Sequence, residues 1–129
     1  MDQHINNNYK HSEITKLIIQ AAIEVHKNLG CGFQEVIYQR AMKIEMEKLG
    51  LEFGREMALD IIYNGQNIGS RRIDFLIEDK VLVEIKAIDA LEEIHQVQLL
   101  NYLKIYKIAV GLLINFGAIK QVEIKRMVL

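Results

Sequence analysis

The chain of 129 residues has no proline and one cysteine, and its net charge is −1. With no proline, no low-complexity segment after residue 9 and no internal repeat, nothing marks a linker, and the length suits one domain with a substantial core. That domain is expected over residues 11–129, after a polar, flexible start at residues 1–10. Cys31, alone, excludes an internal disulfide and a thiolate metal cluster, and between two glycines it reads as a small turn residue rather than a nucleophile. No apolar run approaches the roughly 18 residues of a membrane span, so no membrane partner is expected. The N-terminus MDQHINNNYKH lacks the basic and apolar regions of an export signal, which makes the cytoplasm the expected compartment. A nearly neutral chain does not coat nucleic acid non-specifically, although a local basic strip can still hold phosphate. Arg71, Arg72, Lys86, Lys104, Lys107, Lys120, Lys125 and Arg126 could supply one, solvated surface being the ordinary use of such residues.

Half of the residues are hydrophobic, and their spacing is informative. Ile14, Leu17, Ile18, Ala21, Val25 and Leu29 fall on one helical face, with Ser12 placed to cap the helix and Gly30 to stop it. A second helix is expected from about Gln34 to Leu49, its stripe made of Ile37, Ala41, Ile44 and Leu49. From Arg55 the period becomes two, as Met57, Leu59, Ile61 and Tyr63 alternate with Glu56, Ala58 and Asp60. Asn64-Gly65 then signals a type I′ hairpin whose partner strand runs from about Asn67 to Ile77. After a polar turn come a strand at VLVEIK, a third helix from Leu91 to Tyr106, and strands at Ala109–Asn115 and Gln121–Met127. The order ααβββαββ predicts an α/β fold: a mixed β-sheet of about five strands flanked by helices.

The stretch DFLIEDKVLVEIK, Asp74 to Lys86, carries the chemistry. Val81, Leu82, Val83 and Ile85 look like a strand buried on both faces, yet Glu84 and Lys86 interrupt its end, and buried charges need partners. If Glu78, Asp79 and Lys80 form a three-residue loop, Ile77 faces Val81, Leu76 faces Leu82 and Asp74 faces Glu84. Opposed side chains share a face with Cβ atoms roughly 5 Å apart, so Asp74, Glu84 and Lys86 would converge. A two-residue loop would put Asp74 opposite Ile85 instead. Opposed carboxylates repel, and a hard divalent cation relieves them better than one ammonium does. Mg²⁺ could take Asp74, Glu84 and the Ile85 backbone carbonyl as oxygen ligands, with Lys86 beside the reacting phosphate or water. An E-x-K strand is common, and an edge salt bridge is the blander reading.

On the third helix His95, Gln98 and Tyr102 fall in one sector at about 100° per residue, interrupting a face shared with Leu91, Ile105 and Tyr106. They are either interior polar groups or companions of Glu84 and Lys86. Glu35 opens the second helix, where the helix dipole favours a carboxylate in any case. It is equally a candidate third metal ligand, with Tyr38 one turn on.

These blocks resemble a known family. Gly32-Phe-Gln-Glu35-Val-Ile-Tyr38 matches the motif of the GxxExxY proteins, and Asp74-Phe75, Glu84-Ile85-Lys86, His95-x-x-Gln98 and Gly111 to Gly117 look like its later blocks, over about residues 13 to 128. That family is similar to the PD-(D/E)XK nuclease superfamily, in particular to its branch with a Q-x-x-x-Y helix motif, here Gln98 and Tyr102. The resemblance implies a restriction-endonuclease-like core, a Mg²⁺ or Mn²⁺ cofactor, metal ligation by Glu35, Asp74 and Glu84, a catalytic Lys86, and Gln98 and Tyr102 as supporting or substrate-contacting groups. Ile73 stands where the superfamily often has its proline.

Two functions follow as expectations: a metal-dependent nuclease acting on DNA or RNA, or a non-catalytic module that keeps the fold to bind nucleic acid or protein. The intact Glu, Asp, Glu and Lys set favours the first. Mild acidity and the lack of an aromatic stacking platform favour the second. The apolar AVGLLINFG strand reads as core more readily than as the interface of a homodimer.

Overall fold

A computed structural model describes residues 11–129; the flexible start expected at residues 1–10 lies outside the described residues. Two helices, α1 (Ser12–Leu29) and α2 (Glu35–Lys48), precede β1 (Phe53–Tyr63), β2 (Gln66–Ile77) and β3 (Val81–Lys86). Helix α3 (Glu93–Tyr106), β4 (Val110–Asn115) and β5 (Glu123–Val128) follow, in the expected order. The five strands form one mixed sheet in sequential order, antiparallel except for the parallel pair β3 and β4 that α3 connects.

The sheet separates two cores. On one face Val81, Val83, Ile85, Leu112 and Ile114 pack with Phe75 and Ile77 under α1 and α2, and on the other Leu82, Leu113, Leu76, Ile73 and Leu59 pack under Leu99 and Leu103 of α3. Every residue of β4 is buried, as a central strand between two neighbours requires, so the AVGLLIN run is interior and presents no face to a second copy. Asn64 and Gly65 both have positive φ, 50° and 77°, as the type I′ turn demands.

Three local expectations need correction. Ser12 is the first helical residue rather than the cap, and Thr15 Oγ1 donates to its carbonyl at 3.2 Å. The buried stripe of α2 is Tyr38, Met42 and Met46; of the expected Ile37, Ala41, Ile44 and Leu49, Ala41 and Leu49 pack at the edge of the core, Ile37 is half-buried and Ile44 is exposed. The larger aromatic and thioether side chains take the interior because they bury more area and adapt to the sheet surface. On α3 the core face is Leu99 and Leu103, which leaves Gln98 and Ile105 exposed and Tyr102 half-buried.

Asn115, at the end of β4, fastens the chain where it leaves β3. Its fully buried side chain accepts from the N–H groups of Ile88 (2.9 Å) and Gly117 (3.0 Å) and donates to the Ile88 carbonyl (2.9 Å) and Glu123 Oε1 (3.0 Å). Gly117 lies so close to the Ile88 backbone that any Cβ there would collide with it. Asn115→Ala should therefore strand several buried polar groups and cost about 2–3 kcal/mol. Urea unfolding of the variant checks this, and a midpoint equal to the wild type's would show the clamp to be dispensable.

Candidate active site

The three-residue loop at Glu78 to Lys80 sets the register derived from the sequence: Ile77 pairs with Val81, Leu76 with Leu82 and Phe75 with Val83. Beyond Phe75 the ladder opens and side chains replace backbone partners. The Asp74 N–H donates to Glu84 Oε2 at 2.8 Å, and the Ile85 N–H donates to Asp74 Oδ2 at 2.7 Å. On the other side of β2 the register passes from Arg55↔Phe75 to Met57↔Ile73, skipping the position where Glu56 would oppose Asp74. Glu56 has φ 53°, a left-handed conformation that a side chain rarely adopts. Side-chain alternation loses step there, since Ile73 belongs to the α3 core and Phe75 to the opposite one. Asp74 thus stands at a bend where both flanking ladders part.

A buried residue that the sequence reading missed completes this node. Gln39 of α2 donates from Nε2 to Asp74 Oδ1 at 2.7 Å and accepts from Arg55 Nη1 at 3.2 Å. Its signal was a polar side chain one turn after Glu35, between Tyr38 and Met42 on what becomes the buried face.

Burial, and then the neighbouring Asp74 carboxylate, push the Glu84 carboxyl up to about 8, against the opposing pull of Lys86. Glu35 stands at the rim, its carboxyl raised by partial burial, with Lys86 pulling down, Asp74 pushing up and His95 pulling down. Burial, and then the Glu84 charge, raise the Tyr102 hydroxyl, while a hydrogen bond from Arg71 opposes them. Glu35, Asp74, Glu84, Lys86, His95, Tyr102 and Arg71 therefore share one electrostatic neighbourhood.

Two sequence candidates turn out to be structural fasteners. Tyr38 is fully buried, stacks on Phe116 at 4.7 Å between centroids, and donates to the Gly30 carbonyl at 2.6 Å. It pins the α1–α2 loop and thereby fixes Glu35 rather than standing beside it. His95 closes a reciprocal capping box with Glu92, its Nδ1 accepting from the Glu92 N–H at 2.9 Å, while still facing Glu35 electrostatically. Of the eight basic residues considered, only Arg71 and Lys104 line the groove beside α3. Lys120 lies in a larger groove of about 730 Å³ between α1 and the β4–β5 connection, which no candidate catalytic residue lines.

By chemistry the donor set fits a hard divalent cation: paired carboxylate oxygens, one of them protonated near neutrality, with a strand backbone alongside. Among the described residues no three His, Cys, Asp or Glu side chains are grouped closely enough to hold a metal by themselves, so the pair would rely on backbone oxygen, water or movement of Glu35 to complete a shell. Among the described residues, no helix is long and apolar enough to cross a membrane.

A family model of the PD-(D/E)XK nuclease superfamily matches residues 12–127. The chain belongs to that superfamily, a class whose members are generally dependent on divalent metal. Among solved structures it is similar to the crystal structure of SSO0001, with a TM-score of 0.55 and 16% identity over 94% of this chain, which spans 57% of that one. At that identity the likeness establishes the fold. No curated protein matches the sequence significantly.

Proposed function

We propose that the protein is a metal-dependent nuclease that hydrolyses phosphodiester bonds of nucleic acid at the junction of β2 and β3. The observation that carries this reading is the opposed Asp74–Glu84 pair, one carboxyl of which is pushed up to about 8 beside the Lys86 ammonium. Asp74, Glu84 and the Ile85 carbonyl would hold Mg²⁺ or Mn²⁺, with Glu35 as a further ligand from the rim. When bound, the cation supplies Lewis acidity towards the phosphate and acidifies nearby water. Lys86 neutralises charge on the phosphate or orients the attacking water. Gln39 fixes the Asp74 carboxylate, as groups behind metal ligands do, and Gln98 and Tyr102 meet the substrate.

A second reading, a non-catalytic binding module with the same fold, is favoured by one observation: both Asp74 oxygens already accept hydrogen bonds, from Gln39 and Ile85. Isothermal titration of Mn²⁺, with cleavage of labelled single- and double-stranded DNA and RNA in the same preparation, separates the two. Heat of binding accompanied by metal-dependent cleavage is expected; neither heat nor cleavage would leave the binding module.

Gln39→Leu is expected to weaken Mn²⁺ binding about tenfold, within the range for residues that support metal ligands. The same titration reads it, and unchanged affinity would confine Gln39 to a packing role.

A further inference from the structure

Beyond Tyr102 the space between hairpin β1–β2 and α3 forms an open groove of about 400 Å³, lined by Ile61, Arg71, Gln98, Asn101, Tyr102 and Lys104 among others. That volume lies at the lower end of the roughly 300–1,000 Å³ typical of small-ligand sites, enough for about one nucleotide-sized unit at a time. Arg71 of β2 and Lys104 of α3 both line it, and among the described residues neither has a carboxylate partner at ion-pair distance. Both are exposed. The Arg71 guanidinium donates to the Ser70 carbonyl at 2.9 Å and lies close enough to Tyr102 for its charge to act on the hydroxyl. Tyr63, two residues beyond Ile61 on the same strand, is 65% exposed and continues the apolar line of the hairpin towards its tip. Two cations flanking aromatic and amide side chains in a narrow channel are what a single nucleic-acid strand needs: charge for the phosphates, ring faces for the bases, and no demand for a groove-reading helix.

Resting on the nuclease reading above, we propose that this groove is the binding channel for a single strand of nucleic acid, gripped at its phosphates by Arg71 and Lys104 and led past Tyr102 to the Asp74–Glu84 pair. The neighbouring Arg72 is also exposed but alternates to the other face of the hairpin and takes no part.

Fluorescence anisotropy of labelled single-stranded DNA, single-stranded RNA and duplex DNA, with the full chain in EDTA so that nothing is cut, tests the channel separately from the chemistry. Single strands of either sugar should bind more tightly than duplex. Arg71→Ala and Lys104→Ala should each weaken single-strand binding about tenfold, and each should make the slope of log affinity against log salt shallower by about 0.7, the value for one phosphate contact on a single strand. Arg72→Ala should change neither by as much. All three side chains are exposed, so folding is not at stake. Duplex bound as tightly as single strand, or Arg71→Ala and Lys104→Ala binding like wild type, would overturn the channel. Mn²⁺ titration of the same variants keeps the two readings apart: metal affinity should be unchanged in Arg71→Ala and Lys104→Ala. Single-strand binding in a wild type that takes no metal would remove the nuclease reading and leave the channel standing.

Discussion

Asp74→Ala and Glu84→Ala are each expected to lower Mn²⁺ affinity and metal-dependent cleavage by more than about a hundredfold. The estimate follows from position: residues that merely support metal ligands cost roughly 10–100-fold when removed, and these two would be the ligands themselves. Neither substitution should unfold the chain. Asp74→Ala strands the Ile85 N–H but also relieves the repulsion that raises Glu84, and Glu84→Ala removes a carboxyl that is costly to bury. Lys86→Ala should separate the roles, retaining metal binding while losing cleavage, because Lys86 carries positive charge and cannot be a ligand. Titration calorimetry together with a cleavage assay reads all three. Metal binding unaltered in both carboxylate variants would place the cation elsewhere and dismantle the proposed site.

The second large effect is on stability. A Glu84 carboxyl that titrates near 4.5 when unfolded and about 8 when folded gives the folded state the extra proton between those values. Folded protein binding more protons than unfolded means that stability falls as pH rises. The contribution is fully present below about pH 4.5 and is lost as the pH climbs through 8, amounting to at most about 5 kcal/mol for one group. Glu35, also raised, acts in the same direction. Metal-free protein should thus unfold at progressively lower urea between pH 5 and 8, and saturating Mn²⁺ should flatten the curve by making the ionised pair favourable. Glu84→Gln, which keeps an oxygen to accept from the Asp74 N–H, should be nearly flat and the more stable form at pH 8. A wild-type profile that rises over the same interval would show Glu84 to be ionised throughout.

Much of this was legible in the sequence because the relevant rules are local. The order of elements follows from periodicity, the Asn64-Gly65 hairpin from the φ values those residues tolerate, and the pairing of Ile77 with Val81 and Leu76 with Leu82, which brings Asp74 to Glu84, from the length of one loop. The failures came where two elements compete for an interior. Which side of α2 is buried depends on the sheet it meets, so Tyr38, Met42 and Met46 displaced the stripe that hydrophobicity alone suggested. The same competition moved the α3 core to Leu99 and Leu103, making a groove wall of the Gln98–Tyr102 side. Gln39 and Asn115 were invisible for another reason: each is a polar residue whose partners lie far along the chain, and only the assembled fold supplies them. The bend at Glu56 left no mark in composition, since any residue there would have read as one more strand position.

That bend lies in a sheet that two cores of unequal size share. The α1–α2 side buries a broad set of side chains, and the hairpin–α3 side a small one around Leu59, Ile73, Leu99 and Leu103. Local opening free energy follows buried apolar contact, so the smaller core is expected to lose amide protection first in hydrogen exchange. Tyr102 packs against the smaller core and Arg71 lines the groove beside it, whereas Asp74 and Glu84 lie on strands that contribute to both cores. On the channel reading, the grip on a strand would sit over the smaller core while the carboxylate pair would sit at the bend between the two, so loosening of the grip need not dismantle the pair.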